Sequence, residues 1–141
     1  MRYLLDTNVI SELVKRDPHP KVLKWIDERN ENDLFLSVIT FGELQKGICK
    51  LYDKSRAERL QEWVHQDLTN RFQGRVLSLD LEVLSTWGKI QGISEQTGTP
   101  LPVMDSLIAA TAIVHELTVV TRNVKDMKRC QASVYNPWIQ E

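Results

Sequence analysis

Short apolar segments alternate with helix-periodic segments along the whole chain, and this alternation restricts the fold more than any other feature. Arg2 to Asp6 reads as a buried strand ending in an acid, and Thr7-Asn8 then start a helix carried by Val9, Ile10, Leu13 and Val14. After the break at Asp17-Pro18-His19-Pro20, Val22, Leu23, Trp25 and Ile26 give a second helix, closed by the polar run Arg29 to Asp33. Leu34 to Val38 is the second strand. A helix follows from about Thr40, with Phe41, Leu44, Ile48 and Leu51 at intervals of three and four, and Thr40 and Glu43 have the spacing of a capping box.

The second half repeats the theme. Ser55 to Phe72 is expected to be one long outer helix with Leu60, Trp63, Val64 and Leu68 as its apolar stripe, and Gly74 resets the chain. Arg75 to Leu79 alternates as a strand, Asp80 can cap the helix Leu81 to Gln96, and Gly98 to Pro102 is a loop. Met104 to Leu117 is an almost wholly apolar helix whose small residues allow close packing on a sheet. Thr118 to Thr121, a turn or short helix over Asn123 to Arg129, and a last strand over Ala132 to Tyr135 complete the pattern. Alternation of this kind predicts an α/β fold with a parallel sheet covered on both faces, and 141 residues suit a single domain spanning 1–141.

Composition excludes little. Lysine and arginine total 18 against 19 acids, so no basic field announces a nucleic-acid partner, yet clustered cations or a bound metal could still engage one. Cys49 and Cys130 match neither a disulfide framework nor a zinc spacing. Asp6 interrupts the N-terminal run before it is long enough for a signal peptide, and Leu107 to Val114 is too short to span a bilayer. A cytoplasmic protein without membrane attachment is expected.

In open parallel sheets, ligands bind beyond the carboxyl ends of the strands. Asp6 ends the first strand, Glu43 opens the helix after the second, Asp105 opens the apolar helix and Asp126 follows the strand Thr118 to Thr121. Taken singly, each has a structural explanation: Asp6 as a helix cap, Glu43 in a capping box, Asp105 as a first-turn acid, Asp126 as a solvated charge. Taken together, they point to one rim, where several carboxylates must take up protons or bind a cation. Short acids with oxygen-only donors suit Mg²⁺ or Mn²⁺ rather than zinc. Such an ion fits phosphodiester hydrolysis.

Other motifs fail. Gly42 and Gly47 have phosphate-loop spacing, but Ile48 and Cys49 follow where that loop needs Lys and Ser or Thr. His19, His65 and His115 stand in a proline-flanked loop, an amphipathic helix and a helix end, and Trp25, Trp63, Trp87 and Trp138 read as core or interface anchors.

Four segments together resemble a known family. Leu4-Leu-Asp-Thr-Asn-Val-Ile-Ser-Glu12, Ser37-Val-Ile-Thr-Phe-Gly-Glu-Leu-Gln-Lys-Gly47, Asp105-Ser-Leu-Ile-Ala-Ala-Thr-Ala112 and Val120-Thr-Arg-Asn-Val-Lys-Asp126 look like the successive motifs of PIN-domain ribonucleases, in particular the VapC and FitB type of bacterial toxin. The resemblance implies a three-layer sandwich on a parallel sheet of about five strands, a Mg²⁺-dependent endoribonuclease, and a cognate antitoxin in the active-site groove. It makes Asp6 and Asp105 core metal ligands and Glu43 the third acid. Many family members carry an acid where this sequence has Asn123, so the fourth role falls to Asn123, to Asp126 or to water. Thr7 and Thr121 could orient carboxylates or waters. Arg122, Lys125, Lys128, Arg129 and Lys46 are candidate RNA phosphate contacts, and single-stranded or looped RNA, transfer RNA first, is the implied substrate. A homodimer through the Ser55 to Phe72 helix, within a toxin–antitoxin hetero-oligomer, is expected on the same ground.

Two rivals differ in class. A HAD-like phosphatase wants a second acid two residues after Asp6, where Asn8 stands, and a receiver domain wants a phosphorylated Asp that Asp80 serves poorly. A PIN-like binding module without turnover keeps the fold and drops the chemistry.

Overall fold

The computed structural model describes residues 1–139; Gln140 and Glu141, the last two positions of the expected domain, lie outside the described residues. Among the described residues, five strands form one parallel sheet in the order β3-β2-β1-β4-β5: β1 (Tyr3–Leu5), β2 (Leu34–Ser37), β3 (Val76–Leu77), β4 (Thr118–Val120) and β5 (Val134–Tyr135). Tyr3 stands opposite both Leu34 and Thr118, so the first strand to be made becomes the centre of the sheet. From β1 the chain builds outward through β2 to β3, then crosses back to β4 and β5. This reversal between β1 and β4 opens a crevice at their carboxyl ends, because the connections leave in opposite directions there.

Strand alternation sorts the core into two layers. Leu4 and Val119 face one side, with the helices α6 (Leu81–Gln96), α7 (Val103–His115) and α8 (Val124–Arg129), which contribute Val83, Ile108 and Met127. Leu5, Leu34, Leu36 and Val120 face the other, against α1 (Thr7–Leu13) and α2 (Pro20–Asp27), from which Val9, Ile10, Val22 and Trp25 enter. The expected three-layer sandwich is therefore present. In α7 every residue from Ser106 to Ala112 is buried, as its apolar run requires. Among the described residues, no helix is long and apolar enough to cross a membrane.

The strands expected over Arg75 to Leu79 and Ala132 to Tyr135 shorten to Val76–Leu77 and Val134–Tyr135, and two helices differ more. The helix after β2, α3 (Val38–Cys49), starts earlier than Thr40, because Ser37 is its cap: the Ser37 Oγ accepts from the Ile39 amide at 3.0 Å. Thr40 and Glu43 therefore form no capping box. The Ser55 to Phe72 helix is broken into α4 (Lys54–Trp63), a π-helical turn over Val64–Leu68, and α5 (Thr69–Arg71). At the break the Thr69 hydroxyl donates to the Val64 carbonyl at 2.8 Å, and the shift in phase turns Val64, Leu68 and Phe72 into the core. Part of the stripe expected to support a dimer is thus spent within the chain.

Candidate active site

Asp6 is placed by the sheet itself. Its amide donates to the Val120 carbonyl at 2.9 Å, continuing the β1–β4 ladder one residue past β1. Its side chain then caps α1, accepting from the Thr7 amide at 2.7 Å. The other carboxylate oxygen accepts from the Thr121 hydroxyl, just past β4, at 2.8 Å. That hydroxyl, itself fully buried, also accepts from the Asn123 amide at 2.9 Å and the Asn8 side-chain amide at 3.1 Å. Thr121 thereby ties the two strands on either side of the crevice.

The remaining acids come from two helix starts. Glu43, one turn into α3, accepts from the Thr7 hydroxyl, which lies 3.1 Å from that of buried Thr40. Relieved of capping, Glu43 is free to face the crevice. Asp105 sits in the first turn of α7 and accepts from the Asn123 Nδ2 at 2.9 Å. Asp6, Glu43, Asp105, Thr7 and Asn123 line one cleft of about 380 Å³, together with Asn8, Ser11, Glu12, Lys15 and Arg122.

The charges that bear most on Asp6 and Asp105 are those of other acids. Burial pushes the Asp6 carboxyl up to about 6, with the fields of Asp105 and Glu43 adding to it against the pull of the Thr121 and Thr7 hydrogen bonds. Asp105 is also raised, first by burial and then by the charge of Asp126, with the Asn123 hydrogen bond opposing. Asp6, Glu43 and Asp105 are the residues that could hold a divalent ion, since all are hard oxygen donors around one opening. Among the described residues they do not form a ready-made coordination shell; each is instead held by a neighbour's hydrogen bond.

Of the other sequence candidates, Arg122 lines the cleft, whereas Asp126, Lys125 and Lys46 do not. Asp126 lies in the first turn of α8, 3.5 Å from Arg129, and reaches the site only through its field on Asp105. Lys46 borders a smaller neighbouring hollow with Glu43, Leu79 and Met104. None of the three histidines lines the cleft. Reading the sequence acid by acid missed Asn8, Ser11, Glu12 and Lys15. Their spacing of three, four and seven from Asn8 is the signal: a polar stripe down the helix that begins at Asp6.

The PIN domain family model matches residues 3–131. The chain belongs to the PIN domain family. It is 36% identical over 135 residues to Toxin FitB of Neisseria gonorrhoeae, covering 96% of this chain and 97% of that protein. It is 34% identical to VapC ribonuclease Y4jK of Sinorhizobium fredii, covering 96% of both. The crystal structure of FitAcB from Neisseria gonorrhoeae superposes with a TM-score of 0.91 at 36% identity, over 98% of this chain and 99% of that one. The resemblance carried by the four motifs thus extends over almost the whole PIN fold.

Proposed function

We propose that this PIN-domain protein is a metal-dependent endoribonuclease, the toxin of a toxin–antitoxin pair. One observation carries the reading: Asp6, Glu43 and Asp105, from three separate segments, line a single cleft at the crevice between β1 and β4. Its relatives bear the names toxin and ribonuclease, and similar structures include toxin–antitoxin complexes, which supports a cognate antitoxin as partner. The toxin acts in the cytoplasm, where its RNA is, and works as a homodimer within the hetero-oligomer.

The donor set fits Mg²⁺ or Mn²⁺, and the cost of charging buried Asp6 beside Glu43 and Asp105 favours a cation. When bound, such an ion polarises a phosphoryl oxygen and makes a bound water more acidic. The chain's own residues do the rest. Asp6 presents its carboxylate from the end of β1 and Asp105 from the first turn of α7, both into the same cleft. Thr121 fixes the rotamer of Asp6, Thr7 that of Glu43 and Asn123 that of Asp105, so the acids meet substrate in set orientations. Unpaired RNA is the substrate class, transfer RNA loops first, because an open backbone can enter a cleft that a duplex cannot.

A second reading, a PIN-like binding module without turnover, draws on Asn123, a neutral residue where many family members carry an acid. One experiment separates the two. Antitoxin-free protein is incubated with total bacterial RNA, with Mg²⁺ or with EDTA, beside Asp6→Asn and Asp105→Asn. Discrete Mg²⁺-dependent fragments, lost in both variants, are expected; intact RNA with folded, metal-loaded wild type would favour the binding module.

A further inference from the structure

The acid cleft also contains a group of opposite character. Glu12 is only 4% exposed, yet it is not free to serve as a fourth metal ligand, because both of its oxygens are engaged by this chain. Its Oε1 lies 2.9 Å from the Lys15 Nζ and 3.6 Å from an Arg122 Nη2, and its Oε2 accepts from the His19 amide at 2.8 Å. The side chains of Lys15 and Arg122 remain 52% and 55% exposed, so each cation is gripped on one side and offered on the other. Arg122 is gripped twice. Its guanidinium carbon stands 4.3 Å from the ring centroid of buried Trp138. Trp138 leaves its buried Nε1 without a hydrogen-bond partner among the described residues, a cost that phenylalanine would avoid. Indole is, however, the strongest aromatic partner for a cation.

We propose that Lys15 and Arg122 form an anion subsite that takes a backbone phosphate flanking the one being cut, with Glu12 and Trp138 as positioning residues. This rests on the endoribonuclease reading. The three charges Lys15, Arg122 and Glu12 sum to +1, whereas Asp6, Glu43 and Asp105 bring three negative charges to the same cleft. A polyanion repelled by the acids needs such a cationic foothold, and an arginine held over a ring can still offer its planar fork to two phosphate oxygens at once. Neither Lys15 nor Glu12 belongs to the acid set, and Trp138 lies near the end of the chain, so the subsite joins α1, the β4–α8 turn and the C-terminal segment.

The test pairs kinetics with binding on the full chain. Glu12→Gln removes a negative charge from the cleft, so bulk electrostatics alone would tighten RNA binding and lower KM. Loss of a brace does the opposite: KM rises about tenfold while kcat changes little. Arg122→Lys should resemble Arg122→Ala more than wild type, Trp138→Leu should follow Glu12→Gln, and Trp138→Phe should retain most of the affinity. In EDTA, a short fluorescein-labelled mixed-sequence single-stranded RNA is titrated across salt concentrations. The salt slope for Arg122→Ala should fall by about 0.7 from the wild-type value. A lower or unchanged KM for Glu12→Gln, or a wild-type salt slope for Arg122→Ala, overturns the proposal. The exposed Arg122 keeps the test decisive even where Glu12→Gln fails to fold. The two failures are distinguishable. RNA that is cut while Arg122→Ala binds with the wild-type slope removes the subsite and leaves the nuclease; a reduced slope with no RNA cut does the reverse.

Discussion

Asp6 and Glu12 stand at the two ends of one short helix, α1, are nearly equally buried, and line the same cleft, yet their surroundings push their pKa values in opposite directions. Asp6 has neutral hydrogen-bond partners and acidic neighbours, and burial pushes it up to about 6. Glu12 suffers burial too, but the Lys15 and His19 hydrogen bonds and the charges of Lys15 and Arg122 prevail and hold it below its usual value. A buried carboxylate costs stability unless a cation meets it. For Glu12 the chain supplies that cation; for Asp6 it does not, and this is the deficit that the metal ion of the proposed function would offset.

The largest effect that would sharpen this contrast is on cleavage. Asp6→Asn and Asp105→Asn should each lose more than the roughly 100-fold that removal of an outer partner costs. Glu12→Gln should leave kcat nearly intact. Equal collapse of kcat in all three variants would break the distinction between the two walls of the cleft.

Stability gives the second contrast, and its signs are opposite. In EDTA, folded Asp6 holds a proton up to about pH 6 while the unfolded chain releases it near 3.8, so its contribution declines as pH rises between those values. The decline amounts to something on the order of 3 kcal/mol. Asp105, raised as well, works in the same direction. Glu12 contributes stability that is present above the unfolded value near 4.5 and is lost as pH falls through its lower folded value. Urea denaturation of metal-free protein should therefore find Asp6→Asn more stable than wild type at pH 8, with that advantage gone near pH 4. Glu12→Gln should be less stable than wild type at pH 8. Added Mg²⁺ should stabilise wild type at pH 8 and leave Asp6→Asn nearly unmoved.

How much of this is legible in the sequence follows from the range of the forces involved. The strand-to-helix turns at Asp6 and the apolar run of α7 are local patterns, and the structure reproduces both. Two closely spaced hydroxyls, Ser37 and Thr40, compete for one cap, and only the end of β2 decides for Ser37, which releases Glu43 to the cleft. The π-turn at Val64–Leu68 depends on the core that Leu68 and Phe72 reach, which no periodicity reveals. Strand order, and with it the crevice between β1 and β4, is set by pairing between distant segments. The stripe from Asn8 to Lys15 shows Glu12 as a polar position on α1, but its pairing with Arg122, which in turn lies over Trp138, joins it to the far end of the chain and is hidden for the same reason.

The smallest expected effects concern the fourth group beside the acids. Asn123 donates to Asp105 and, through its amide, to the Thr121 hydroxyl that holds Asp6, so it touches the supports of two carboxylates at once. Asn123→Ala should lower kcat about 10- to 100-fold, the range for a group that orients a ligand rather than being one. Asn123→Asp places a like charge 2.9 Å from the Asp105 oxygen, which should weaken the metal-free protein while lowering the Mg²⁺ concentration needed for half-maximal cleavage. Asp126 lies outside the cleft beside Arg129 and acts on Asp105 only at a distance. Asp126→Asn should therefore change kcat by no more than about twofold, the scale of a screened surface charge. A Mg²⁺ titration of cleavage by these variants assigns the role: a steep loss at Asp126 with Asn123→Ala near wild type would transfer the fourth position to α8 and require that helix to move toward Asp105.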